Sequence, residues 1–191
     1  MGNLRIISGK AKGMRIQSVP GDSTRPITDR VKESLFNIIG ADIHQSSFLD
    51  LFGGTGSVGI EALSRNAAFV RVIDLHPLAI KTIKANLIHT KLEENAQVIR
   101  MDSLVYLGGK PDKVFDFIYI APPQYKELWI KTMEKLDKNH EWLHENGCIV
   151  VQIHPVEYQK LSLHNFTEFD QRKYGSTLLI FYEKMISPSS E

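Results

Sequence analysis

The 191-residue chain predicts a single α/β domain on a doubly wound, mostly parallel sheet. Three observations predict it. Apolar runs alternate with helical periodicity from residue 47 onward, which is typical of a parallel sheet with helices on both sides. A glycine-rich loop joins the first strand to the next helix. Only Gly175 separates the last two runs, so an antiparallel strand is expected near the end of the sheet.

The expected elements follow in order along residues 1–191. LRIISG and MRIQSV predict a small basic hairpin, which a turn-rich linker follows to residue 24. The core is expected over 25–186, opening with a helix that Thr28 can cap. The apolar face of that helix comprises Val31, Leu35, Ile38 and Ile39. The tail, 187–191, is expected to be disordered.

Seven strands are expected in the sheet. They lie in FLDLF, FVRVID, QVIRMD, FIYIA, CIVVQI, FTEFDQRKY and STLLIFYEK. Helices are expected near 57–66 and from Pro77 to about Thr90. The core face of the second helix comprises Ile80, Ile83 and Leu87.

The charge distribution is uneven although the net charge is only +1. Residues 1–35 hold seven Lys and Arg against three Asp and Glu, so they carry +4 and the remainder −3. A basic arm suits a polyanion, although a solvated charged surface is the alternative. The chain has one cysteine and shows neither an apolar stretch of membrane-spanning length nor a signal peptide. We therefore expect a cytoplasmic protein without a membrane partner.

The glycine loop permits two classes of cofactor. A G-x-G-x-x-G pattern at Gly54, Gly56 and Gly59 lets a ligand approach the backbone beside a helix N-terminus. Asp74 ends the next strand, where an acid can hold a ribose diol. These facts alone permit a nicotinamide oxidoreductase. Asp50 opposes it, because a carboxylate just before the glycines repels a pyrophosphate.

The acids favour S-adenosylmethionine instead. Its ammonium and sulfonium cations suit Asp50, and Asp102, after the third strand, would lie near an adenine amine. The alternative is that these acids only cap helices, which is the preferred interpretation for Asp102 alone.

The segment DFIYIAPPQY predicts a buried strand stopped by two prolines at the same edge of the sheet. Ala121, Pro122 and Pro123 would then lie beside the transferred methyl group. A rigid carbonyl there can accept hydrogen bonds from a base amine and orient its nitrogen, while an aromatic ring stacks on the base. This chemistry needs no metal.

Several blocks resemble the bacterial 16S rRNA (guanine(966)-N(2))-methyltransferase family. They are RIISGKAKGMRI, STRPITDRVKESLFNII, FLDLFGGTGSVGIEALSRNA, IDLHPLAIKTIKANL and FDFIYIAPPQY, which together span nearly the whole chain. The resemblance implies a Rossmann-like class I methyltransferase fold, S-adenosylmethionine as donor and a guanine of small-subunit ribosomal RNA as acceptor.

The resemblance also implies roles for individual residues. Asp50, Gly53, Thr55 and Gly56 would line the methionine end, Asp74 the ribose, and Asp102 with Ser103 the adenine. Gly54 and Leu75 would also bind the cofactor. Thr28 and Arg30 belong to the block leading into the pocket. Independently of the resemblance, the positive charge of the N-terminal segment predicts phosphate contacts by Arg5, Lys10, Lys12, Arg15 and Arg25.

The proline segment departs from the family pattern of Asp or Asn, Pro-Pro, then Tyr or Phe. Ala121 replaces the acid, Gln124 stands at the aromatic position, and Tyr125 is displaced by one residue. We expect the Pro122 carbonyl and Gln124 to accept hydrogen bonds and Tyr125 to stack on the base. The alternative is a cofactor-binding RNA module with impaired catalysis. The sequence permits naked RNA, an assembly intermediate or the finished subunit as the substrate. The simplest expectation for the oligomeric state is a monomer.

His140-Glu141-Trp142-Leu143-His144 matches the H-E-x-x-H pattern of zinc proteases. The expected helix, however, ends at Asn146-Gly147, and no third ligand follows at a suitable spacing. We therefore expect no metal site.

Overall fold

The computed structural model describes residues 4–21 and 27–185. Arg25 and the predicted tail, 187–191, lie outside these ranges. The described part has seven strands in one sheet: β1 (Ser47–Asp50), β2 (Phe69–Asp74), β3 (Ala96–Arg100), β4 (Phe115–Ile120), β5 (Leu143–Ile153), β6 (Phe166–Tyr174) and β7 (Thr177–Lys184). Their order across the sheet is β3-β2-β1-β4-β5-β7-β6.

The sheet confirms the predicted mixed topology. Strands β1 to β5 pair in parallel, and β7 is antiparallel to both β5 and β6. The carboxyl ends of the parallel strands therefore share one edge, where open α/β sheets bind ligands.

In the part of the chain that the structure describes, five α-helices cover the two faces of the sheet: α1 (Asp29–Ile39), α2 (Ser57–Ser64), α3 (Pro77–Thr90), α4 (Ser103–Gly108) and α5 (Leu128–Lys138). The first three helices share one apolar cluster with the sheet, while α4 and α5 share the other. Neighbouring residues of β1 face opposite clusters, Phe48 the first and Leu49 the second. No helix in the described ranges has the length and apolar character needed to cross a membrane.

Two predicted helix faces need correction. In α1, Ile38 is exposed and Phe36 is buried in its place, because Phe36 packs on Phe48 of β1. In α3, Ile80 is only partly buried, whereas Ala79 is fully buried.

The predicted helix around residues 140–146 is wrong. A short 3-10 turn covers His140–Trp142, and β5 begins at Leu143, which pairs with Phe115 of β4. The two histidines of the H-E-x-x-H match therefore do not share a helix. Within the described residues, no group of three or more His, Cys, Asp or Glu side chains is placed to hold a metal ion.

The N-terminal arm, residues 4–21, forms the predicted hairpin, but with a single β-bridge instead of two continuous strands. Arg5 and Arg15 form one antiparallel bridge, and the Ile6 N–H donates to the Met14 carbonyl at 2.9 Å. Glu61 of α2 anchors the arm by accepting the N–H groups of Ile7 and Ser8 at 2.8 and 3.0 Å.

Lys32 belongs to the predicted basic surface, but the structure buries its side chain. The residue is 1% exposed, and its Nζ donates to the Arg5 carbonyl at 2.6 Å and lies 3.4 Å from Glu61 Oε2. Burial lowers the pKa of Lys32, while Glu61 opposes that shift. This lysine supports the arm from inside and adds no charge to the surface.

Candidate functional site

A cavity of about 1140 Å³ opens at the carboxyl edge of the sheet. It brings together thirteen of the sixteen predicted catalytic and cofactor residues: Asp50, Gly53, Gly54, Thr55, Asp74, Leu75, Asp102, Ser103, Ala121, Pro122, Pro123, Gln124 and Tyr125. Residues far apart in sequence meet there because their strands all end at this edge.

Three predicted residues do not line the cavity. Thr28 is the N-cap of α1, and Arg30 is exposed on the same helix, although their neighbour Ile27 does reach the cavity wall. Gly56 lies just behind the wall, as the residue that precedes α2. Ligand contacts by these three residues therefore stay predictions.

The loop between β1 and α2 lies tightly against β2. The Gly53 N–H donates to the Ile73 carbonyl at 2.9 Å, and a Cβ at position 53 would lie only 2.2 Å from Val72 Cγ1. Gly56 adopts φ +78°, a left-handed conformation that glycine adopts without steric cost. These two glycines let the chain turn into α2 and leave the cavity open in front of the helix N-terminus.

Asp50 provides the most unusual electrostatic feature of the cavity. The residue is 1% exposed, and its Oδ1 has no hydrogen-bond partner among the described residues. Burial raises its pKa to about 7, and the charge of Asp74 adds to the shift, while the backbone N–H groups of Phe52 and Gly59 oppose it. A buried, unpartnered carboxylate oxygen is costly unless a ligand satisfies it.

Asp74 fixes the loops around it. Its Oδ2 accepts the Gly54 N–H, and its Oδ1 accepts the His76 N–H, both at 2.8 Å. Each carboxylate oxygen has two lone pairs, so one on each oxygen is left for a diol.

Asp102 caps α4, as the alternative interpretation expects. Its Oδ1 accepts the N–H groups of Leu104 and Val105 at 2.8 and 3.0 Å. The Ser103 hydroxyl donates to the Leu51 carbonyl, so that hydroxyl proton is not free for a ligand. Asp102 is therefore a helix N-cap, which leaves its predicted contact with the adenine untested, whereas Asp50 is not an N-cap residue.

The proline segment forms the wall beyond β4. Gln124 is partly buried at the cavity, whereas Tyr125 is 68% exposed. Tyr125 adopts φ +62°, and its N–H donates to Glu157 Oε1 at 2.7 Å. Ala121 brings no polar side chain to this wall.

Sequence reasoning missed several cavity residues, including Tyr119 and Gln152. The Tyr119 hydroxyl donates to Gln152 Oε1 at 2.6 Å, and Tyr119 pairs in register with Asp50 of β1. Burial raises the Tyr119 pKa well above its usual value, and the charge of Asp50 adds to this, so the phenol stays protonated. The alternation of β4 places Tyr119 on the same face as Phe117, but sequence could not show which strand lies beside it.

The predicted RNA contacts within the described residues lie on the arm surface. Lys10, Lys12 and Arg15 are exposed. Arg5 is also exposed, but its Nε pairs with Asp29 Oδ2 at 2.7 Å, which neutralises part of its charge. The end of the arm, Val19 to Gly21, continues into the cavity wall.

The chain matches a known protein family over most of its length. Residues 4–183 match the family described as conserved hypothetical protein 95. The match thus spans the arm, the glycine loop, the proline segment and the last strand.

Two curated proteins illustrate the relationship. YlbH of Bacillus subtilis is 38% identical over 95% of this chain and 99% of its own. The ribosomal RNA small subunit methyltransferase D of Haemophilus influenzae is 38% identical over 79% of each chain.

Solved structures share the fold over almost the whole chain. The yhhF protein from Escherichia coli has 29% identity and a TM-score of 0.85 over 96% of this chain and 98% of that one. HI0767 from Haemophilus influenzae has 32% identity and a TM-score of 0.81 over 97% and 100%.

Proposed function

We propose that this chain, which belongs to the conserved hypothetical protein 95 family together with the ribosomal RNA small subunit methyltransferases D, methylates ribosomal RNA. It transfers the methyl group of S-adenosylmethionine to the exocyclic N2 amine of a guanine in 16S ribosomal RNA. The single observation that carries the choice of donor is the buried, unpartnered carboxylate oxygen of Asp50.

The cavity fits S-adenosylmethionine better than a dinucleotide. The Asp50 carboxylate attracts an ammonium or sulfonium cation and repels a pyrophosphate, and low exposure strengthens both effects. When bound, the donor supplies an electrophilic methyl group on sulfur. The methionine end is assigned to Asp50, Gly53, Gly54, Thr55 and Gly56, the ribose to Asp74 with Leu75, and the adenine to Asp102 with Ser103.

On the acceptor side, the wall after β4 orients the base. A guanine amine is a poor nucleophile because its lone pair is delocalised into the ring, so acceptors for its hydrogens assist the reaction. The Pro122 carbonyl and the Gln124 side chain take this role, and Tyr125 stacks on the base. Because Ala121 provides no carboxylate, we expect transfer to be about 10- to 100-fold slower than with an acid at that position.

The arm supplies the phosphate contacts through Lys10, Lys12 and Arg15. Arg5 contributes only in so far as the phosphate competes with Asp29. The substrate is the RNA within a small-subunit particle, and the protein works in the cytoplasm as a monomer.

Two measurements test the proposal. Calorimetry should show binding of S-adenosylmethionine and none of NAD, and tritiated methyl should pass to small subunits that lack the modification. Parallel reactions with naked 16S RNA and with subunits show which form is the substrate. Cofactor binding without transfer to either RNA form would instead favour the impaired RNA-binding module, and binding of NAD alone would favour the oxidoreductase.

A further inference from the structure

We propose that Glu157 is a positioning residue that holds Tyr125 and His154 as a two-ring platform for the target base. The proposal rests on the proposed function, because it concerns the acceptor side of the same cavity. Tyr125 lines that cavity, and His154 follows directly after Gln152 and Ile153, which also line it.

Glu157 joins the loops that follow two neighbouring strands. One carboxylate oxygen, Oε1, accepts the Tyr125 N–H at 2.7 Å, and the other, Oε2, accepts the His154 N–H at 3.2 Å. Tyr125 follows β4 and His154 follows β5, so their backbones are tied together by one side chain. Hydrogen bonds to a charged acceptor are stronger than neutral ones.

Tyr125 needs such support because its backbone is strained. A non-glycine residue at φ +62° lies in the left-handed region, which persists only where surrounding contacts hold it. The residue is nevertheless largely exposed at the cavity. The protein thus holds an aromatic residue in an unfavourable backbone conformation and leaves the ring uncovered, which suits stacking on a ligand.

His154 supplies the second ring. Its centroid lies 6.1 Å from that of Tyr125, with an angle of 39° between the planes. Its Nδ1 accepts the Val156 N–H at 3.2 Å, so the ring is fixed and Nε2 carries the proton in the neutral imidazole. Two adjoining rings with one N–H donor match a nucleobase, which offers a π face and acceptor atoms at its edge.

The first test compares Glu157→Ala and Glu157→Gln with Glu134→Gln, which removes one negative charge from an exposed position on α5. We expect Glu157→Ala to lower kcat/KM for the RNA about tenfold, with the dissociation constant of S-adenosylmethionine unchanged within twofold. The kcat/KM of Glu157→Gln should lie between those of the wild type and Glu157→Ala, because the glutamine amide keeps one acceptor oxygen. Glu134→Gln should match the wild type. If Glu157→Gln weakens S-adenosylmethionine binding by the same factor as it lowers kcat/KM for the RNA, the positioning role is overturned.

A double-mutant cycle then asks whether Glu157 acts through Tyr125. The double variant Tyr125→Ala/Glu157→Ala should be no slower than Tyr125→Ala alone, because the supported ring is already absent. Additive losses would contradict the proposal.

Base stacking gives a readout that is independent of methylation. RNA carrying 2-aminopurine at the target position should lose fluorescence on binding to the wild type and lose less with Glu157→Ala. If the wild type transfers no methyl group, the proposed function fails, yet this quenching still tests the platform. Equal quenching by both proteins would overturn it.

Discussion

At the residue scale, Asp50 links the proposed cofactor site to folding stability. Its pKa of about 7 lies above the ordinary Asp value near 3.9, because burial disfavours the charged form. The folded state thus retains a proton that the unfolded state has already lost. The resulting stability is fully present below about pH 4 and is lost as the pH rises to about 7.

We therefore predict a pH-dependent effect of Asp50→Asn on the cofactor-free protein. The amide cannot ionise, so the variant should gain stability relative to the wild type as the pH rises from 4 to 8, by up to about 4 kcal/mol. Urea unfolding at several pH values measures this difference. The same variant should bind S-adenosylmethionine much more weakly, because it has no negative charge to offer a cation. A stability difference that stays constant with pH would contradict the assignment.

At the element scale, α3 connects the N-terminal arm to the glycine loop through Asn86. Its Nδ2 donates to the carbonyls of Gln17 and Thr55 at 3.0 and 2.9 Å, and its Oδ1 accepts the Gln17 N–H at 2.8 Å. The side chain is almost fully buried. One amide therefore satisfies backbone groups of both segments, and the arm becomes part of the support of the glycine loop.

Asn86→Ala should weaken cofactor binding about tenfold, because it leaves buried backbone groups of the arm and the loop unpaired. Gln17→Ala is the matched control, since Gln17 uses only its backbone in this contact and is exposed. Calorimetry with S-adenosylmethionine measures both variants. The same dissociation constant for Asn86→Ala as for Gln17→Ala would show that the link does not support the loop.

Elements with strong local signals were predictable from sequence. The bounds of β2, α3 and β6 match the expected runs, because apolar periodicity, Pro77 and the turn at Gly175 mark them locally. The segment 140–146 was not predictable, since its pattern permits a helix. Trp142 and Leu143 instead bury their side chains in the cluster under α4 and α5, and tertiary packing decides the structure.

Much of the candidate site was also predictable, because residues at strand ends meet at one edge in any parallel sheet. The supporting contacts were not. Glu157 reaches Tyr125 across 32 positions and Tyr119 reaches Gln152 across 33, and no local pattern marks either pair. The burial of Lys32 likewise depends on Glu61 of another helix.

At the scale of the whole molecule, the arm carries exposed positive charge, and its end, Val19 to Gly21, lines the cavity. Lys10→Ala/Lys12→Ala should weaken RNA binding. The slope of the logarithm of the binding constant against the logarithm of the salt concentration should become shallower by about one to two, since each lost phosphate contact reduces that slope by about 0.7–0.9. Lys131→Ala/Lys138→Ala on α5 is the charge-matched control, on the opposite face of the sheet from the arm's apolar cluster. Titrations at several salt concentrations measure both. Equal slopes for the two double variants would exclude the arm as the phosphate contact.

The buried acid, the glycine loop, the proline wall and the basic arm all have a role in the proposed methylation of one guanine amine. The most direct test transfers tritiated methyl from S-adenosylmethionine to undermodified small subunits, then digests the RNA and identifies the labelled nucleoside. We predict label in N2-methylguanosine at a single position of 16S RNA, and its loss with Asp50→Asn. Label in another nucleoside, or no label at all from protein that binds the cofactor, would contradict this account.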